Sequence, residues 1–134
     1  MENKTLLIKT NEGSYDLEAS VRQIGNDMLI AVWGGEKPHI GAVAVAQPRA
    51  SLKDPNITSA STSVICILGH KEDQIAKQIA EKISATLNTL VIVTAGIHWD
   101  DISDQGIRKV IRHTEILIDL IIKKLMTERK TMPT

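Results

Sequence analysis

The chain has 134 residues, and its 16 lysines and arginines balance its 16 aspartates and glutamates, so the formal net charge is zero with the four histidines neutral. Proteins that bind nucleic acid need a cationic excess on at least one face, and those that bind single strands usually add aromatic residues on which bases stack. Aromatic residues make up only 2% of this chain, which argues against nucleic-acid binding. The 43% of hydrophobic residues predicts one buried core and a single domain over residues 1–134.

Cysteine content and hydropathy bear on the compartment. Cys66 is the one cysteine and lies in an apolar run, so we expect a buried thiol in a reducing compartment. The apolar run at 6–8 is too short for a signal peptide, and no window holds the roughly 18 apolar residues of a membrane-spanning helix. We therefore predict a cytoplasmic protein that does not contact membranes.

The first half of the chain has the pattern of strands. Between residues 15 and 24 apolar and polar residues alternate, which gives one buried and one solvent-exposed face. Segments rich in glycine, asparagine and proline separate such runs. The segment 47–60 carries two prolines and no periodicity, so we predict a flexible loop there. The predicted strands lie at about 5–10, 15–24, 28–33, 40–46 and 61–68.

The second half predicts a helix, a strand and a longer helix. Isoleucines recur at every fourth residue between 75 and 83, which indicates an amphipathic helix. A continuous apolar strand at 90–95 suits the inside of a sheet, and the last helix begins after Ser103, a favourable N-cap. The order β-β-β-β-β-α-β-α predicts an α+β domain with a mixed six-stranded sheet and both helices on one face. We expect an ordered core over about 5–127 and a C-terminal tail at 128–134.

This topology gathers glycines and histidines at one edge of the sheet. If the third, fourth and fifth strands are antiparallel in turn, the end of the third, the start of the fourth and the end of the fifth share an edge. A crossover through the first helix makes the sixth strand parallel to the fifth, so its end joins them. The residues placed at this edge are Gly34, Gly35, His39, Gly69, His70 and His98.

Several groups at this edge could hold a ligand. The free N–H groups at the start of the first helix, together with Lys71, favour an anion, although Glu72 and Asp73 could satisfy the same helix end. Glycines let a ligand approach the backbone closely. Trp33 and Trp99 offer an apolar wall for a ring-shaped ligand or a partner protein, and simple packing is an equal alternative.

The histidines also allow a second interpretation, a catalytic metal site. Imidazole is a common ligand for zinc, and three histidines with an open position would suit such a metal. His39, His70 and His98 lack the short spacing of metal-binding motifs, so we expect turn or carbonyl contacts and no metal. His113, inside the last helix, is expected to be a partly exposed helix residue.

The chain also resembles a known family over about residues 15–125. The likeness is carried by GGEKPHIGAVA at 34–44, SASTSV at 59–64, GHKE at 69–72 and AGIH at 95–98. These segments are similar to the prenylated-flavin chaperone-like family, which includes the small D subunit associated with bacterial gallate and related phenolic-acid decarboxylases. The resemblance implies a non-catalytic accessory protein that helps to deliver or mature prenylated flavin mononucleotide. The fold it implies is similar to that of proteasome-assembly chaperones.

The resemblance and the edge residues lead to one hypothesis. A flavin mononucleotide has a phosphate for a helix N-terminus, polar ring atoms for histidines and an apolar ring system for tryptophan. We predict a homodimeric protein that binds prenylated FMN or FMN and works with a flavin-dependent decarboxylase subunit. A small metal-dependent enzyme, or an assembly chaperone with no small ligand, are the alternatives. The predicted cofactor-binding residues are Trp33, Gly34, Gly35, His39, Gly69, His70, Lys71, His98 and Trp99.

Overall fold

A computed structural model of the protein describes residues 4–67 and 72–131. Within these ranges the elements follow the predicted order, and six strands form one mixed sheet of an α+β fold. No helix in the described part of the chain is long and apolar enough to cross a membrane. The elements are β1 (Thr5–Lys9), β2 (Leu17–Ile24), β3 (Asp27–Gly35), β4 (Ala42–Ala50), β5 (Thr58–Cys66), α1 (Asp73–Leu87), β6 (Val91–His98) and α2 (Asp104–Thr131).

The strand order is β1-β2-β3-β6-β4-β5, so β6 lies between two strands that are neighbours in sequence. It runs parallel to β3 and antiparallel to β4, whereas the sequence pattern placed β3 directly beside β4. As predicted, the continuous apolar sequence of β6 lies inside the sheet, where such sequences are typical. Strand directions are as expected, so the ends of β3 and β6 and the start of β4 meet at one edge.

Both helices pack on one face of the sheet, as predicted, and cover different halves of it. α1 contacts β4, β5 and β6, while α2 contacts β1, β2 and α1. Because successive side chains of a strand point to opposite faces, every second residue is buried under the helices. No element of the described residues packs on the other side, which we call the open face. The buried residues of the central strands include Ile30, Val32, Ala42, Ala44, Ala46, Val91, Val93 and Ala95.

Element boundaries differ from the sequence pattern in two places, the connection between β4 and β5 and the end of α2. β4 and β5 pair with each other well inside the predicted 47–60 loop, which leaves only 51–57 as their connection. β6 pairs with β4 only as far as Ala46, so Pro48, which has no N–H to donate, lies where β4 has a single neighbour. At the C-terminal end, α2 continues to Thr131, past the predicted end of the ordered core.

Two side chains differ from their expected burial. Cys66 is exposed, because it ends β5, the strand at one edge of the sheet. His113 is buried, and its Nδ1 donates a hydrogen bond to the carbonyl oxygen of Tyr15, 2.7 Å away. α2 packs against β2 in this region, so the histidine is covered and its polar ring is satisfied by a backbone acceptor.

Candidate ligand-binding site

An open cleft lies beside the edge at which β3 and β6 end. Its volume of about 410 Å³ falls in the range of roughly 300–1,000 Å³ that is typical of small-molecule sites. Four predicted site residues line it together: Trp33, Gly34, Gly35 and Trp99. We call it the aromatic cleft. The other lining residues are Lys9, Gly13, Tyr15, Asp16, Glu18, Glu36 and Pro38.

Tyr15 and Trp99 form one wall of the aromatic cleft, and α2 supports it. The two ring centroids are 5.0 Å apart with an interplanar angle of 61°, an edge-to-face contact. Tyr15 has a left-handed φ of 63°, which is costly for a residue other than glycine. The hydrogen bond from buried His113 holds this backbone. Gly106 of α2 makes room for the ring, because a Cβ there would lie 2.8 Å from Tyr15 Cζ.

The supporting role of α2 was missed by the sequence analysis. Tyr15 fitted the alternation of a strand, and nothing in that pattern indicated a left-handed conformation. Gly106 was the available signal, because glycine inside a helix is less favourable than alanine and often marks a close approach.

A glycine and a hydrogen bond shape the rest of the cleft. Gly35 has a φ of +92°, and a Cβ there would collide with the carbonyl oxygen of His98, so a larger residue would push β3 and β6 apart. Trp33 Nε1 donates a hydrogen bond to Glu18 Oε2 at 2.9 Å. The indole ring of Trp33 is therefore held on the open-face side of the cleft.

The cleft carries more acidic than basic groups. Partial burial raises the pKa of Asp16, but hydrogen bonds from the Thr10 hydroxyl and from two backbone N–H groups outweigh it and hold that pKa below its ordinary value. Asp16 is thus ionised at neutral pH. The cleft favours an uncharged or hydrogen-donating group over a phosphate. The charged lining residues are Lys9, Asp16, Glu18 and Glu36.

Next to the cleft, His39 and Glu72 form a pair that joins three elements, and we call it the inner pair. His39 Nε2 donates to Glu72 Oε1 at 2.7 Å, and its Nδ1 donates to the carbonyl oxygen of Lys37 at 2.8 Å. Both partners offer oxygen atoms as acceptors, so the ring of His39 is held by a hydrogen bond at each of its two nitrogens. The same Glu72 oxygen accepts the N–H of Ile97 at 3.3 Å. The inner pair therefore links the entry to β4, the start of α1 and the end of β6.

Two glycines make room for the inner pair. A Cβ on Gly41 would collide with the Glu72 carboxylate, and a Cβ on Gly96 would collide with the backbone carbonyl of His39. Glu72 occupies the N-cap position of α1 but makes no side-chain capping bond. Its carboxylate binds His39, and so does not serve the helix end in the way the sequence suggested.

His98 and Asp100 form a second pair, the outer pair, at the same edge. His98 Nε2 donates to Asp100 Oδ1 at 2.8 Å, and Lys37 Nζ donates to the same oxygen at 3.2 Å. Both side chains of the outer pair are about half exposed, at 45% and 51%. The hydrogen bond from His98, followed by the contact with Lys37, lowers the pKa of Asp100 to about 2.

The predicted edge residues thus fall into separate groups. His39 and His98 lie at the same edge, but each binds its own carboxylate, and neither lines the aromatic cleft. Gly69, His70 and Lys71 lie outside the described residues. Within residues 4–67 and 72–131 no three side chains of histidine, cysteine, aspartate or glutamate are grouped to hold a metal ion.

Comparisons with known proteins agree on the family and the fold. The family model of the prenylated flavin chaperone LpdD-like domain matches residues 11–126. Protein LpdD of Lactiplantibacillus plantarum (strain ATCC BAA-793 / NCIMB 8826 / WCFS1) is 30% identical over 116 residues, which are 87% of this chain and 82% of that protein. A solved chain from a chaperone complex for yeast 20S proteasome assembly has a TM-score of 0.50 and 18% identity, covering 96% of this chain and 95% of that one. This last likeness shows the fold alone.

Proposed function

The chain belongs to the prenylated flavin chaperone LpdD-like family, and on that premise we propose that it holds prenylated flavin mononucleotide, or FMN itself, and passes it to a phenolic-acid decarboxylase. The family match over residues 11–126 is the observation that carries the proposal. Membership of this family indicates a non-catalytic accessory protein, which argues against the alternative of a metal-dependent enzyme. The protein therefore needs groups that bind the cofactor, and no catalytic set.

We propose the aromatic cleft as the place of the flavin ring system. The walls formed by Trp99 and Tyr15 give apolar contact area to a flat ring, and aromatic pairs of this kind contribute beyond the area they bury. Gly34 and Gly35 expose backbone that polar ring atoms can approach. The acidic lining matches the N–H donor of a flavin ring better than it matches a phosphate.

The phosphate then lies outside the cleft. We propose that it binds at residues 69–71, which precede Glu72 and α1 in the sequence: Lys71 adds a cation and His70 an imidazole to the kind of anion site that a helix N-terminus offers. We propose that His39 supports this end of the ligand indirectly, because its hydrogen bond to Glu72 fixes the residue that directly precedes α1. His98 is more accessible than His39, so it is the proposed contact for the edge of the ring.

Tryptophan fluorescence tests the cleft directly, because both tryptophans of the chain line it. We expect anaerobic titration with reduced prenylated FMN, and with FMN, to quench this emission to saturation. By calorimetry Trp99→Leu should bind roughly tenfold more weakly, while Ile111→Ala, a half-exposed apolar change on α2, should bind like the parent chain. If Trp99→Leu binds the flavin as tightly as the parent chain and its circular dichroism spectrum is unchanged, the flavin ring does not bind in the aromatic cleft.

The phosphate position has its own test. His70→Ala and Lys71→Ala should each weaken binding of prenylated FMN while leaving the thermal unfolding curve unchanged. Lys77→Ala is the matched control, since it removes an exposed charge farther along α1. Unchanged affinity in both site variants would eliminate residues 69–71 as the phosphate site.

Delivery, compartment and assembly complete the proposal. We propose that the protein is cytoplasmic, since a single cysteine allows no intrachain disulfide. We also propose that it is a homodimer. Native mass spectrometry of the protein from cells that make prenylated flavin should show the flavin mass on a dimer. A flavin-free dimer that still binds the decarboxylase would favour the assembly chaperone with no small ligand. Transfer is measured by adding the loaded protein to a cofactor-free decarboxylase and following activity, with Trp99→Leu as the defective donor.

A further inference from the structure

The open face of the sheet carries a row of uncharged side chains that crosses all six strands. The register aligns one residue from each strand in this row, and none of them is charged. Leu7 and Ile65, at its two ends, are 78% and 67% exposed. The row runs Leu7, Ser20, Ala31, Thr94, Val43 and Ile65.

The neighbouring row extends the apolar character over the centre of the face. Leu29, Ile92 and Val45 are adjacent in register, and Leu29 is 39% exposed. A sheet with helices on one side usually alternates between apolar residues inside and polar residues outside. Here the outward residues in the middle of the three central strands are aliphatic or small, so an apolar patch faces water, with Trp33, Gln47 and Arg49 farther along the same strands. Such patches mark interaction sites.

We infer that this open face is the interface between two copies of the chain. Six strands about 4.8 Å apart, with about six residues each, span roughly 600 Å² in plan, before the relief of the side chains is counted. A standard interface buries about 800 Å² of accessible surface on each partner, so the face has the size that one stable dimer needs.

The charge distribution of the open face also favours a second copy of the chain as its partner. In a two-fold interface the residues near the axis meet their own counterparts, so a central charge would repel itself. The central residues of the face are uncharged, and charges lie toward its rim, at Lys9, Glu18, Arg22, Asp27 and Arg49. Two such sheets stack about 10 Å apart, which gives a four-layer dimer with helices outside and sheets inside.

The open face thus supplies the contact surface of the homodimer that we proposed above. Formation of this interface does not depend on flavin binding. Trp33 and Glu18 belong both to the open face and to the aromatic cleft. The second copy therefore lies next to the cleft on its open-face side. Failure of flavin binding would leave the dimer intact, and the two proposals are separated by measuring mass and affinity on the same samples.

Light scattering on the eluting protein, with sedimentation equilibrium over a range of concentrations, tests the interface. We expect the parent chain to be a dimer, and Thr94→Lys to shift the monomer–dimer equilibrium at least roughly tenfold toward monomer. Ile111→Lys places the same charge on a half-exposed apolar position of α2 and should stay dimeric. Circular dichroism checks that each variant is folded.

A second variant covers the case in which Thr94→Lys does not fold. Leu7→Glu combined with Ile65→Glu changes only side chains that are already mostly exposed, and it should also give a folded monomer. A monomeric parent chain up to its solubility limit would overturn the inference. Dimers that persist in a folded face variant, or that are lost in Ile111→Lys, would overturn it as well.

Discussion

The inner and outer pairs make the same contact in different surroundings. Each has a histidine Nε2 that donates to a carboxylate, at 2.7 Å in the inner pair and 2.8 Å in the outer pair. The inner side chains are 23% and 9% exposed, and the outer ones 45% and 51%. A buried polar group that loses its partner costs far more than an exposed ion pair contributes. The inner pair therefore belongs to the framework of the edge, and the outer pair is available to a ligand.

The largest effect should come from the glycine beneath the inner pair. Gly96→Ala would drive a Cβ into the backbone carbonyl of His39, which no side-chain rotation relieves. We expect it to lower the free energy of unfolding by about 3 kcal/mol or more in urea denaturation. Gly25→Ala is the control, because its Cβ meets nothing within 4 Å and only its left-handed φ, at about 1 kcal/mol, opposes it. Similar losses in the two variants would contradict the packing of the inner pair.

Removal of the inner carboxylate should have the next largest effect. Glu72→Ala leaves the N–H of Ile97 and the ring of His39 without this acceptor in a mostly buried position. We expect the free energy of unfolding to fall by about 2 kcal/mol, measured by thermal and urea unfolding. His39→Ala should account for only part of this loss, since Ile97 keeps its acceptor. A Glu72→Ala protein as stable as the parent would show that the inner pair is not structural.

The outer pair should make the stability of the protein depend on pH in the acidic range where Asp100 titrates. The pKa of Asp100 is lowered to about 2, chiefly by the hydrogen bond from His98. Because the folded pKa lies below the unfolded one of about 3.9, the contribution of Asp100 is complete above that pH and is lost as the pH falls toward 2. NMR titration of the carboxyl carbon measures this directly. His98→Asn should move the midpoint upward, and an unmoved midpoint would assign the shift to another group.

The smallest effect on stability should come from Asp100→Asn. The outer pair is half exposed, so solvent and salt screen it, and we expect no resolvable change in urea denaturation at neutral pH. The affinity of this variant for prenylated FMN is the informative readout, because the change removes the carboxylate charge that His98 contacts beside the proposed ring position. A clear loss of stability would make the outer pair part of the framework and remove its contrast with the inner pair.

Periodicity and apolar runs were enough to predict the elements, their order and the common edge of β3, β4 and β6. They could not place β6 between β3 and β4, because nearest neighbours in a sheet depend on long-range pairing. Half of the aromatic cleft was predictable, since Trp33 and Trp99 lie at the ends of predicted strands and were therefore placed at this edge. Tyr15 and His113 were not, because their roles depend on a left-handed backbone and on the path of α2 across the sheet.

The insertion of β6 between β3 and β4 also sets an order of folding. β1, β2 and β3 form a meander of local contacts, and β4 with β5 forms a hairpin, so each unit can form from its own residues. Nothing joins them within the sheet until residues 91–98 pair with β3 in parallel and with β4 antiparallel, and such long-range pairing is intrinsically slow. During synthesis the edges of β3 and β4 are therefore open templates until late in the chain, and we expect truncation before residue 91 to yield an aggregating protein in place of a smaller fold.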